Sequence, residues 1–309
     1  DCTMSLGTLY RLSVIMRLSD LVSGPMRAAK ITISDTERSL RSLQETSRKW
    51  MASGGKMMAA VPAIGAAVLM LAEATFETQA ALGELASVGI KDLDALKKAG
   101  RDFSNKWAGT TTAQFVSAAY DIKSGISELT DTGVAQFTAM AALTGKATKS
   151  TTDEMTSLFA TAWGIYRKMY NQMNDEAFGH MFAGGIAAAV QQFKTTGPEM
   201  SSAISSLGAA ATSANRPLEE QLAILGTLQA TMSGSEAGTK YRSFVQNAVR
   251  AGERLGMSFT DQNGELLGMI DILQMLRRRY GDTLTAIQKD EISRAFGTQE
   301  AVQLIDLLF

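Results

Sequence analysis

The sequence predicts a mainly α protein, a bundle of short to medium helices with one small β-hairpin near 258–267 and an N-terminal strand. Three observations carry that expectation. Apolar residues recur at three- and four-residue steps through most of the chain after residue 73, helix-start signals return at short intervals, and only four prolines interrupt a composition rich in Ala, Gly, Ser, Thr and Met. Small side chains let helices approach closely, so these rods should pack tightly but each contact should be weak.

The N-terminus differs from the rest. Tyr10, Leu12, Val14, Met16 and Leu18 alternate with Arg11, Ser13, Arg17 and Ser19, broken only by Ile15, which is the period-two pattern of a half-buried strand. Arg11 and Arg17 interrupt what would have to be the uncharged core of a secretory signal. Asp20-Leu-Val-Ser-Gly24-Pro25 ends the strand, because proline cannot donate to a ladder and glycine admits turn geometry. Residues 1–30 are therefore expected to form a strand and turn.

Residues 31–72 read as an amphipathic helix followed by an apolar one. Ile33, Thr36, Leu40, Leu43, Ser47 and Trp50 make an a/d seam of fewer than three heptads, flanked by Arg38, Arg41, Glu45 and Lys49. Packing within its own domain is the simpler use of this seam, and self-association through Ile33, Leu40, Leu43 and Trp50 is the alternative. Met57 to Ala72 holds sixteen residues without a charge. As a helix it covers about 24 Å, short of the roughly 30 Å of a hydrocarbon layer. Its Ala60, Ala63, Gly65 and Ala67 suit a buried or self-associating helix, with membrane insertion as the competing use.

From residue 73 to 309 the pattern is a run of about eight to ten helices, with short connections that make sequential helices neighbours. Leu93, Leu96, Phe103 and Trp107 share one face, and Thr110-Thr-Thr112 offers an N-cap. New starts are expected at Asp131-Thr-Gly133, at Thr151-Thr152-Asp153 with Glu154, at Gly197-Pro198 and after Asn215-Arg-Pro217. Asn263-Gly264, between Met257, Phe259 and Leu266, Leu267, predicts a hairpin with a type I′ turn. A calcium loop through Asp261, Asn263 and Glu265 fails on spacing, since glycine comes at the fourth position instead of the sixth and Ile272 stands where the bidentate Glu belongs.

Reactive chemistry finds little support. One cysteine, Cys2, and one histidine, His180, among apolar neighbours, supply neither a disulfide framework nor the usual metal site. Gly54-Gly55-Lys56-Met57 lacks the upstream glycine and following hydroxyl of a phosphate loop. A balance of 30 basic and 31 acidic residues disfavours nucleic acid as the main partner. Arg277-Arg278-Arg279, at a helix end, complements the helix dipole, with contact to DNA or an acidic wall as the sharper alternative. No catalytic residue, cofactor or metal ligand is expected.

Several blocks carry a family likeness in order. They are Ala118 to Ile126, ending in Ser124-Gly125-Ile126; Leu218 to Gln229; Gly234 to Thr239 with Ala237-Gly238-Thr239; and the turn with Asp261 and Asn263-Gly264. This order resembles the core of phage tail tape-measure proteins, and the strand with Asp20 to Pro25 resembles their start in contractile-tailed, Mu-like viruses. The resemblance implies a structural, multi-copy protein in the lumen of a virion tail or prophage-encoded particle, assembled in the host cytoplasm. Implied partners are further copies of itself, tail tube and baseplate proteins and tail assembly chaperones, with transient contact to DNA or the host membrane at genome ejection. An N-terminal Asp1 and the apolar end at Leu304 to Phe309 predict a piece of a longer protein, a head domain attached to a tape beyond it. The rival expectation is a membrane-active, pore-forming protein that inserts 57–72, and a weaker one is a cell-wall hydrolase.

Overall fold

The computed structural model describes residues 67–308, with side chains from Glu77 onward. The N-terminal strand, the seam at 31–50 and most of the apolar segment lie outside the described residues. Thirteen helices occupy the described part, and they fall into two compact units divided between Ala187 and Ala188.

The first unit contains α1 (Ala67–Ser87), α2 (Leu93–Lys106), α3 (Thr112–Gly125), α4 (Asp131–Thr148), α5 (Thr152–Tyr166) and the larger part of α6 (Asp175–Gln192). Threonines start three of these helices. Thr111 with Gln114 and Thr151 with Glu154 form reciprocal capping boxes, and Thr130 accepts from the Gly133 amide, so otherwise unpaired donors are satisfied locally. Helix α3 is the hub, packing on α1, α2, α4 and α5. Its Phe115, Val116, Ala118, Ala119 and Ile122 are all buried, a width of apolar surface that a helix on the rim would not carry. Where α3 ends, a β carbon on Gly125 would lie 2.6 Å from that of Ala160 on α5.

Aromatic rings fill the space between α4, α5 and α6. Phe137 meets Trp163 edge-on at 5.3 Å, Phe159 meets Phe182 at 5.2 Å and Trp163 meets Phe178 at 5.6 Å. This is the orientation that the ring quadrupole favours.

The second unit is built from α7 (Gly197–Leu207), the four-residue α8 (Ala210–Ser213), α9 (Leu218–Leu228), α10 (Gly234–Arg254), α11 (Met269–Tyr280), α12 (Ala286–Phe296) and α13 (Gln299–Leu308). Helix α10 is its axis, touching α7, α8, α9, α12 and α13. The approach to α7 is a backbone contact. A β carbon on Gly234 would stand 1.9 Å from the Glu199 carbonyl oxygen, and one on Gly238 2.2 Å from that of Ala203. Farther along, Phe244 stacks on Phe296 of α12 at 5.2 Å, and Ala248 and Ala251 are buried. On α9 almost every side chain is buried, Glu220 and Gln221 included.

Two expectations are corrected. No strand exists among the described residues, so the hairpin at 258–267 reduces to one antiparallel bridge, Thr260 to Leu266. The Asp261 carboxylate, Oδ1, accepts from the amides of Asn263 and Glu265 at 2.8 and 2.9 Å, and the Gly264 amide donates to the Asp261 carbonyl at 3.1 Å. Gly264 is at φ +81° but Asn263 is not in the left-handed region, whereas a type I′ turn needs both central residues there. The side-chain bonds of Asp261 set the turn instead. Second, twelve helices begin after residue 73, more than the roughly eight to ten expected from start signals. Short α8 and the stop at Gly297, left-handed at φ +73°, account for the excess.

Glycine positions give opposite expectations. Gly164, exposed within α5, has nothing within 4 Å of a β carbon, so Gly164→Ala should stabilise the chain by about 1 kcal/mol. Gly238→Ala should destabilise it by about 1–3 kcal/mol or more through forced separation of α7 and α10. Chemical denaturation of the two variants, followed by circular dichroism, checks both signs.

Candidate functional site

Among the described residues, several charged side chains bond the ends of neighbouring helices. Helix N-termini expose amide donors with partial positive charge, and C-termini expose carbonyls with partial negative charge. Asp131, at the start of α4, accepts from the amides of Asp92 and Lys91 at 2.8 and 2.9 Å, ahead of α2. Those bonds, that of Asp92 foremost, hold its carboxyl below the usual range against a smaller opposing effect of burial. Glu199, in the first turn of α7, accepts from the Gly234 amide that opens α10. Glu220 of α9 accepts from the Met269 amide at 3.1 Å, the first residue of α11. The N-cap of α11 is Gly268, which has no side chain to offer, so the cap comes from another helix.

Basic groups take the opposite ends. Arg254 of α10 donates to the carbonyls of Ala295 at 2.9 Å and Arg294 at 3.4 Å, where α12 ends. Arg279 of α11 donates to the Leu255 carbonyl that closes α10 and to Glu291 at 3.1 Å. In the first unit Lys123 donates to the carbonyls of Ser127 and Leu129, both at 2.7 Å. Arg167 gathers the loop after α5, donating to the Tyr170 and Met173 carbonyls at 2.8 and 2.9 Å and pairing with Asp175 at 3.0 Å. The basic run 277–279 is thus divided. Arg279 ties helices together, desolvation lowers the Arg277 guanidinium, and Arg278 is exposed.

The most enclosed of these groups is Glu220, 4 % exposed. Burial raises its carboxyl above the ordinary value of 4.5, opposed by the Met269 amide and by Arg216, whose Nη1 lies 3.8 Å from Oε2; Asp271 adds to the rise. Gln221 donates to the Arg216 carbonyl at 2.7 Å, and Asn215, left-handed at φ +55°, donates to Glu265 at 2.7 Å. This polar knot joins the start of α9, the turn region and the start of α11.

On the surface, two shallow grooves flank the end of α10. One holds Ile287, 82 % exposed, between Leu255 and the ion pairs Asp290 with Arg294 (2.6 Å) and Glu291 with Arg279 (3.1 Å). The other holds Val249, Met257 and Phe259. His180 is exposed, 3.8 Å from Glu176 one turn earlier. Among the described residues no group of three or more His, Cys, Asp or Glu could hold a metal ion, and no helix is long and apolar enough to cross a membrane.

Of the residues singled out by sequence, Asn263 and Gly264 lie at the exposed turn. Ile33, Leu40, Leu43, Trp50, Ala60, Ala63 and Gly65 lie outside the described residues, and Ala67 opens α1. The structure assigns contacts between helix ends to a different set, Asp131 in the first unit and, each at its own junction, Glu199, Glu220, Arg254 and Arg279 in the second. The one local sign of it was a helix beginning at Gly268 without a capping side chain.

Residues 94–297 match the family model of the phage-related minor tail protein, from the first turn of α2 to the residue that closes α12. The chain belongs to that family. It is a phage tail protein with a structural role in the tail, and both units lie largely within the matched region. No curated protein and no solved structure matches this chain. Within this tail protein, the ionic groups described above hold helix ends to one another.

The pH dependence of Glu220 has a definite sign. Its carboxyl is raised in the fold, so its stabilising contribution is full below the unfolded value and is lost as pH rises through the folded one. Glu220→Gln should remove that loss, so thermal midpoints measured from pH 4 upward should fall less for the variant than for the parent chain. Glu220→Ala should cost about 1–3 kcal/mol at acid pH by stranding the buried Met269 amide.

Proposed function

We propose that this tail protein is the core segment of a tape-measure protein of the contractile-tail, Mu-like type. The family match over 94–297 carries the reading, supported by the ordered blocks at 118–126, 218–229 and 234–239 and the turn at 261–264. Residues 1–30 and 31–72 precede the core as separate segments, and the ruling length lies in helical parts of the protein outside the matched region.

In this reading the chain acts by shape and performs no catalysis. It assembles in multiple copies in the host cytoplasm with chaperones, sits in the tail lumen against tube and baseplate proteins, and leaves at genome ejection past DNA and the host membrane. Helix ends tied by neighbouring side chains suit a domain that must stay folded while tube subunits polymerise around it. Each helical residue contributes about 1.5 Å of length.

The test is an in-frame deletion in the helical part of the full-length protein outside 94–297, with tail length read by electron microscopy. Tails should shorten in proportion to the residues removed, by about 1.5 Å each. Tails of unchanged length overturn the ruler reading while leaving family membership intact.

A further inference from the structure

We propose that Asn263 is a site of spontaneous deamidation, through which the exposed turn at 261–264 ages to aspartyl and isoaspartyl forms. This inference is independent of the tape-measure reading.

In this reaction the backbone nitrogen of the next residue attacks the asparagine Cγ, so a side chain on that residue hinders the approach. Asn263 is the only asparagine followed by glycine; Asn105, Asn171, Asn174, Asn215 and Asn247 precede Lys, Gln, Asp, Arg and Ala. Gly264 has open space around a would-be β carbon, and both residues are exposed. Glycine also has the backbone freedom to leave its φ of +81° as the ring closes.

The side-chain amides differ in the same direction. Asn174 accepts from the Ala177 amide at 2.7 Å, Asn215 donates to Glu265 at 2.7 Å, and Asn247 donates to the Ser243 carbonyl at 2.8 Å. The Asn263 amide makes no such bond among the described residues, which leaves Cγ free to turn towards the Gly264 nitrogen. Asn105 is held inside α2, where helical backbone keeps the following nitrogen away, and Asn171 faces the bulk of Gln172. One restraint acts on the nucleophile, the bond from the Gly264 amide to the Asp261 carbonyl at 3.1 Å, which must open first.

The step balances without an oxidant or reductant. The Gly264 N–Cγ bond forms, the Cγ–Nδ2 bond breaks, and the Gly264 amide proton leaves with the nitrogen as ammonia. Water then opens the cyclic imide. Cleavage at Cγ gives aspartate, and cleavage at the main-chain carbonyl gives isoaspartate, whose backbone is longer by one methylene. Either product places a third carboxylate between Asp261 and Glu265. The longer backbone also disturbs the register in which Asp261 Oδ1 accepts from the amides of residues 263 and 265.

The test incubates the native full chain at mildly alkaline pH. Peptide mass mapping follows the amide-to-acid conversion at each asparagine, and isoaspartyl methyltransferase labels the lengthened product. Asn263 should convert several-fold faster than each of the other five, giving labelled and unlabelled acid forms, and Asn263→Ser should abolish labelling of the turn peptide. An intact Asn263 in the native chain, over a time in which the urea-denatured chain converts it, overturns the proposal. Faster conversion of Asn171 in the native chain does so as well.

Discussion

A β carbon at Gly238 would lie 2.2 Å from the Ala203 carbonyl oxygen, so the crossing of α7 and α10 exists only with hydrogen there. Close backbone approach is the constraint on which the 188–308 unit depends. It brings Glu199 near enough to bond the first amide of α10, and it fixes the axis against which α9, α12 and α13 pack. Gly252 repeats the arrangement at the other end, where a β carbon would stand 2.8 Å from the Met257 carbonyl and 3.0 Å from the Phe259 ring. Small residues at chosen places thus do for α10 what large apolar side chains do for most core helices. Dispersion between closely placed backbones accumulates although each atom pair contributes little.

Closely packed short helices bring many ends together, and each end carries unpaired backbone groups. The protein satisfies several of them across helices. Glu220 serves α11, Glu199 serves α10, Arg254 serves α12 and Arg279 serves the end of α10. Where these groups are charged they complement the partial charge of the helix end they face, whereas at Glu220, the most enclosed of them, burial works against the charged form. The same arrangement recurs in the 67–187 unit with Asp131 and Lys123. In this structural component of a tail, the ionic side chains named here hold helix ends to one another.

What the sequence determined by itself is what acts over a few residues. The threonine starts at 111, 130 and 151 are local, because a cap needs only a hydroxyl at the right step from an amide. The turn at Asn263-Gly264 was legible as a turn for the same reason. Its type was not, because Asp261 bonds two amides in a way that a dipeptide preference does not encode.

The tertiary structure alone decided what joins residues far apart in sequence. Gly238 reads in sequence as a poor helix former and becomes a contact point only because Ala203, on another helix, faces it. Glu220 reads as one more acidic residue in the first turn of α9 and becomes a buried cap only because Gly268 starts α11 beside it. Periodicity specifies which face of a helix turns inward, but the partner it meets and the backbone distance between them are set by all the helices packing at once.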